Sequence, residues 1–212
     1  MKLLKKIAKH KFQFLFFVGL VGLLAVALVI SSVNSKNNTD KPVINTDDPE
    51  DPIADVVPEE TIIRPFDQSM EYVIVRRFYE KDGTKEEQKE SLIKYQNSFR
   101  TSVGTSYAKK DGTTFDVLSV LSGKVVEVKS SPLYNNYVIV EHSDGFKTTY
   151  YGLSEVTVTV GNNVNQGDKL GVCGKTEIDA ETGNHVYLKM TKAGKNYNPE
   201  KLIGKKISEI TD

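Results

Sequence analysis

The chain has 212 residues, with 28 basic and 28 acidic side chains, three His, no Trp and one Cys. That length supports one medium domain with additions, and the zero net charge lacks the basic excess of a nucleic-acid binder. A lone Cys173 excludes an intrachain disulfide and reads as a small buried apolar side chain.

Charge is segregated along the chain. Lys2, Lys5, Lys6, Lys9 and Lys11 precede the apolar run FLFFVGLVGLLAVALVI, Phe14 to Ile30, which extends through Ser31 and Ser32 to Val33. Such a run nearly matches the roughly 20 residues that cross a hydrocarbon layer at about 1.5 Å per residue. It predicts a transmembrane anchor over 12–33 behind a basic tail, 1–11. Ala25-Val26-Ala27 resembles a signal-peptide cleavage site, but the apolar character continues past it, whereas cleavable cores run about 7 to 15 residues. An uncleaved, single-pass anchor is the favoured reading. Basic residues before the span and none immediately behind it place the N-terminus in the cytoplasm and the remainder outside.

Residues 34–60, NSKNNTDKPVINTDDPEDPIADVVPEE, are acidic, carry prolines at 42, 49, 52 and 58, and hold almost no aromatic content. Such a segment buries too little apolar surface to offset the entropy of ordering, so it predicts an extended linker. As a flexible coil its root-mean-square span is roughly 30 Å.

From 61 to 212 strand-forming residues alternate with Gly and Asn. EYVIVRRFY, Glu71 to Tyr79, reads as a first strand; EEQKESLIKYQNSF spaces Leu92, Tyr95 and Phe99 on one face of a short helix. GKVVEVK alternates as a strand, and NYVIVEHSDGFKTTYYGL reads as a hairpin turned by Asp144-Gly145. In SEVTVTVGNN, Val156, Val158 and Val160 share a face before Gly161-Asn162-Asn163 turns the chain. These roughly 150 residues suffice for a core of their own. The expectation is a mostly β, antiparallel domain with a short helix.

The motif order SVGTSYAKKDG, then YYGLS, then TGNHVYLKM, then NPEKL, over residues 100–203, resembles the zinc endopeptidases of the lysostaphin or LytM type, family M23. The resemblance implies a two-sheet antiparallel domain of the duplicated hybrid motif kind. In that family zinc is held by the His and Asp of H-x-G-x-D and the second His of H-x-H; the first His of H-x-H and another in Y-x-H-L assist catalysis. With Gly104 and Gly112 fixing the register, Ser102 and Ser106 fall on the first two ligands, Tyr187 on the third and Gly152 on an assisting His, leaving His185. A catalytic zinc needs about three imidazole, carboxylate or thiolate ligands and an open position for water. Hydroxyls and a phenol supply none of these, so no metal, no cofactor and no enzyme activity are expected. Ser102 or Ser106 with His185, read as nucleophile and base, lacks an orienting acid in a recognisable motif. His142, beside a hairpin turn, and His10, in the basic tail, cannot complete the metal set by spacing.

The layout of tail, span, linker and degenerate LytM domain also resembles a sporulation branch of the superfamily. That resemblance implies a forespore-membrane protein that pairs, across the intermembrane space, with a membrane protein bearing an extracytoplasmic domain, the stage III sporulation protein AH. Together the pair forms a ring or channel needed for engulfment. Leu133, Tyr134 and Tyr137, in SSPLYNNY, are the candidate partner interface, since aromatic anchors dominate such surfaces; the alternative is that they close the β core. The rival functions are a peptidoglycan-binding or amidase-activating module and a divergent cell-wall peptidase.

Overall fold

The computed structural model describes residues 59–211. The basic tail, the expected span over 12–33 and residues 34–58 of the expected linker lie outside the described residues. No helix among the described residues is long and apolar enough to cross a membrane.

Twelve strands and two short helices follow the first ordered turns: β1 (Tyr72–Arg76), α1 (Lys85–Glu90), β2 (Leu92–Tyr95), β3 (Ser98–Thr101), β4 (Thr105–Lys109), β5 (Asp116–Leu118), β6 (Gly123–Ser131), β7 (Asn135–Glu141), β8 (Lys147–Val156), β9 (Asn163–Val164), β10 (Lys169–Cys173), β11 (Val186–Lys192), β12 (Lys195–Tyr197) and α2 (Pro199–Leu202). Ten of the strands form one antiparallel sheet in the order β1-β4-β11-β8-β7-β6-β9, with β12 on β11 and β5 joined through β10 to β8. β2 and β3 pair only with each other.

Antiparallel pairing puts directly opposed residues on one face, so register decides which side chains meet. Leu188, Tyr150 and Val138 are opposed across β11, β8 and β7, and Met190, Thr148, Val140 and Val125 form the next row. All seven are fully buried. Each large apolar member removed from water contributes roughly 1.5–3 kcal/mol, which pins the register against a one-residue slip. Ile62, Phe66, Leu202, Ile207 and Ile210 extend the core from the two ends of the described chain.

The polar ends of these rows are paired as well. His142 Nδ1 lies 2.9 Å from the Ser122 carbonyl and Nε2 lies 2.8 Å from Thr148 Oγ1, which in turn is 3.0 Å from the Tyr150 hydroxyl. Because a carbonyl only accepts, His142 carries its proton on Nδ1 and serves as a buried structural tie.

The hairpin expected at Asp144-Gly145 is present: β7 and β8 are joined there, with both residues at positive φ, 53° and 67°. Two other expectations need correction. The helix over EEQKESLIKYQNSF starts under a capping box in which Thr84 and Glu87 exchange hydrogen bonds and ends already at Glu90, and Leu92 and Phe99 lie on opposed strands of the β2–β3 hairpin. The three-and-four spacing of Leu92, Tyr95 and Phe99 imitates a helix face, while Gln96, at φ 52°, turns the chain. Val156 and Val158 pack against the core, but β8 ends at Val156 and Val160 stands 60 % exposed. The described strands form two hydrogen-bonded antiparallel sheets, one of ten strands and one of two, with β8 pairing first with β11 and then with β10.

Candidate functional site

The face opposite the buried rows carries a row of its own. Ser106, Tyr187, Tyr151, Tyr137 and Lys129 are successive partners across β4, β11, β8, β7 and β6, with Arg76 of β1 opposite Ser106. Register alone thus aligns three tyrosines. Ring centroids are 5.8 Å apart for Tyr187 and Tyr151 and 5.1 Å for Tyr151 and Tyr137; Tyr134, from the β6–β7 turn, lies 4.9 Å from Tyr151. Such tilted aromatic pairs each add about 0.5–1.5 kcal/mol beyond their area.

One end of this row holds the residues singled out by motif. Tyr187 is buried, and its hydroxyl accepts the Val103 N–H at 3.0 Å and contacts Ser102 Oγ at 3.3 Å. Ser102 Oγ donates to the Gly104 carbonyl at 2.7 Å. Gly104 is required here: a Cβ would lie 2.9 Å from Tyr187 Cζ, so the backbone lies directly on the tyrosine ring.

Gly152 stands where β8 passes from β11 to β10. Its N–H donates to the Tyr134 carbonyl at 2.9 Å and its carbonyl accepts the Gly174 N–H at 2.6 Å. With φ at +85°, and a Cβ that would sit 3.0 Å from the His185 carbonyl and 3.1 Å from Thr176 Cγ2, the position excludes a histidine of ordinary geometry.

His185 is 1 % exposed and fully engaged. Nδ1 lies 2.9 Å from the Gly183 carbonyl and 2.8 Å from Thr182 Oγ1, so Nδ1 bears the proton and Nε2 faces Thr176 Oγ1 at 3.4 Å. Burial lowers its pKa and outweighs the Gly183 carbonyl and Asp179, which act the other way. Among the described residues no hydrogen bond joins it to Ser102 or Ser106, and the Ser/His arrangement lacks its first geometric requirement.

Ser106, Tyr134, His185 and Tyr187 line one cavity together with Ile93, Thr176, Ile178 and Asp179, and its volume is about 10 Å³. That is room for about one water. Ile93, from β2, and Ile178, from the β10–β11 loop, close it. Arg76 donates from Nε and Nη2 to both carboxylate oxygens of Asp179 at 2.9 and 2.7 Å, and from Nη1 to the Leu92 carbonyl at 2.6 Å.

These residues do not fit a zinc ion. Ser102 and Ser106 offer neutral hydroxyls, and burial pushes the Tyr187 phenol up to about 12, against the Ser102 contact and the hydrogen bond from Val103 N–H, so it is protonated at neutral pH. Its ring takes up the space between the strands. Among the described residues no three His, Cys, Asp or Glu side chains are grouped to hold a metal. Cys173 is no exception: burial raises its thiol to about 11 and leaves it inert.

The structure therefore brings Ser106, His185 and Tyr187 to one small cavity, while Ser102 meets the Tyr187 hydroxyl and Gly152 lies against the His185 carbonyl, outside its lining. It also places the interface candidates. Tyr134 and Tyr137 are half-buried against Tyr151, Tyr137 donates to Glu127 at 2.6 Å, and the Leu133 carbonyl accepts the Ile178 N–H at 3.0 Å. Sequence reasoning missed Ile93, Tyr151, Arg76 and Asp179. The Thr84-x-x-Glu87 capping signature marks where the helix starts but not where it stops, so nothing local frees Ile93 from it, and nothing local marks Asp179.

Peptidase family M23 matches residues 100–199. Stage II sporulation protein Q of Bacillus subtilis (strain 168) is 39 % identical over 151 residues, covering 71 % of this chain and 53 % of that protein. Peptidoglycan DD-endopeptidase ShyA of Vibrio cholerae is 32 % identical over 98 residues, covering 46 % of this chain and 22 % of the enzyme. The chain thus spans about half the length of the first relative and less of the second. Among solved structures, the SpoIIQ-SpoIIIAH pore forming complex matches with a TM-score of 0.69 at 39 % identity, covering 71 % of this chain and 95 % of the matched one. A zinc containing peptidase from Vibrio cholerae shares the fold, with a TM-score of 0.51 at 23 % identity over 66 % of this chain and 39 % of the other.

Proposed function

The chain belongs to peptidase family M23, and on that premise we propose that it is a non-enzymatic member which docks with a partner displayed by an opposing membrane during sporulation. The observation that carries this reading is the filling of the cleft. Where the family's peptidases hold a zinc ion and an open coordination position, this chain has a protonated phenol, two serine hydroxyls and two isoleucines. Without a metal there is no ion to bring the pKa of water from about 15.7 to about 7.

The partner class follows from the relatives. The chain covers 95 % of the matched subunit of the SpoIIQ-SpoIIIAH complex at 39 % identity, which supports a partner similar to SpoIIIAH, a membrane protein with its own extracytoplasmic domain. In this reading residues 1–11 are cytoplasmic, 12–33 anchor the chain in the forespore membrane, 34–60 are the tether, and 61–212 carry the docking domain into the intermembrane space. Pairing with the partner builds a ring or channel across that space.

The tyrosine row is the proposed contact, with Tyr134 and Tyr137 at its outer end and Leu133 beside them. Its aromatic side chains are stacked before any partner arrives, so little rotamer entropy remains to be lost on binding. The test is capture of the extracytoplasmic domain of a SpoIIIAH-like protein by the full chain, with Tyr134→Asp as the variant. Capture by the natural chain and at least tenfold weaker capture by the variant, at an unchanged melting temperature, is the expected result. No capture by the natural chain rejects the docking function; equal capture by both chains rejects this surface.

A further inference from the structure

The excursion between β1 and β4 is built differently from the sheet it touches. Helix α1 buries none of its residues, β3 is exposed along its whole length, and Phe99 is 65 % exposed. Within the β2–β3 hairpin only Ile93 is buried, at 8 % exposure, and its side chain forms one wall of the cavity against Ser106, Tyr134, Ile178, His185 and Tyr187. The hairpin shares no strand pairing with the main sheet. Its attachments lie at its base, where the Tyr79 N–H donates to the Ser102 carbonyl at 2.9 Å and Arg77 pairs with Glu90 at 2.9 Å.

One further attachment reaches across the cleft. Arg76 sits at the end of β1, grips Asp179 on the far wall with two parallel hydrogen bonds, and holds the hairpin through the Leu92 carbonyl. Both side chains are largely withdrawn from solvent, at 16 % and 7 % exposure. Few buried contacts on the hairpin and fully buried rows on the core face of the sheet are the conditions under which one part opens while the other stays closed.

We infer that the β2–β3 hairpin is a latched plug: Ile93 is its stopper, the Arg76–Asp179 pair is its latch, and the hairpin lifts from the cleft as a unit while the ten-stranded sheet stays closed. Lifting uncovers Tyr134, Ile178 and Tyr187 at once, giving a slot whose present occupant is a branched aliphatic side chain on an extended strand. The hairpin thereby controls access to the cleft lined by Ser106, His185 and Tyr187.

The chain supplies its own reference for the test. Cys173 is fully buried in β10, between β5 and β8, so its thiol is reached only when the sheet opens. The full chain carrying Ile93→Cys is treated with a maleimide under native conditions and both thiols are followed by mass spectrometry. Position 93 is expected to react at least tenfold faster than Cys173. Adding Asp179→Asn should raise the rate at position 93 at least another tenfold with Cys173 unchanged. Equal rates at the two thiols, or indifference of position 93 to Asp179→Asn, would overturn the plug. Should Ile93→Cys fail to fold, amide exchange over Leu92–Thr101 in the otherwise natural chain, with and without Asp179→Asn, reads the same opening: faster exchange in the variant sustains it and unchanged exchange refutes it.

Discussion

Removing the phenol oxygen of Tyr187 isolates the feature that distinguishes this site from a metal centre. In Tyr187→Phe the ring stays beneath Gly104 and beside Tyr151, and only the hydroxyl is lost. Ser102 keeps its acceptor, because its Oγ donates to the Gly104 carbonyl at 2.7 Å. The Val103 N–H loses its partner at 3.0 Å. An unsatisfied amide costs about 1–3 kcal/mol, and Val103 is 36 % exposed, so water partly compensates and about 1 kcal/mol is expected. Tyr187→Ala removes the ring as well, and losing a buried aromatic side chain costs about 3–5 kcal/mol. At roughly 2–4 °C per kcal/mol for a domain of this size, the melting temperature should fall by about 2–4 °C in the first variant and about 6–20 °C in the second. Thermal unfolding followed by circular dichroism, with urea midpoints as a second readout, measures both. A neutral Tyr187→Phe together with a Tyr187→Ala no worse than it would show that the tyrosine does not fill the cleft, and the structural case against metal binding would fall.

Gly152→His, which places a histidine where the family resemblance aligns one, should destabilise by at least about 1–3 kcal/mol, because φ is +85° and the Cβ meets the His185 carbonyl at 3.0 Å; a fully stable variant would contradict the geometry of β8. The combination Ser102→His, Ser106→Asp, Tyr187→His and Gly152→His should accordingly give no peptidase activity against a peptidoglycan cross-bridge peptide, and measurable cleavage would refute this. Burial lowers the pKa of both His142 and His185 below 6.5, so the unfolded chain takes up these protons first as pH falls. Their contribution is therefore whole above about 6.5 and is lost toward the lower folded-state values, at most about 1.4 kcal/mol per pH unit for each histidine. The melting temperature should drop between pH 7 and 5, and His142→Gln should flatten that slope; a flat natural profile, or an unaltered slope in the variant, would show that these rings are not buried in their neutral form.

Residue type and order along the chain settled much of this protein without a fold. The alternation of Val138 and Val140, the Asp144-Gly145 turn and the Gly104 register were readable because each is a local rule of backbone geometry or side-chain period. What a side chain can offer a metal was equally readable, since a serine hydroxyl is a poor zinc ligand in any fold. Long-range pairing decided the rest. The tyrosine row exists because β11, β8 and β7 register Tyr187, Tyr151 and Tyr137 side by side, and nothing in the separate stretches that hold them states that register. Ile93 lies in a segment whose spacing imitates a helix, and it is a strand because an apolar cavity bounded by Ile178 and Tyr187 receives its side chain. Arg76 and Asp179, 103 residues apart, meet only once β1 and the β10–β11 loop are in place. Local sequence fixes what each residue can do chemically, whereas closure of the sheet determines which residues do it together.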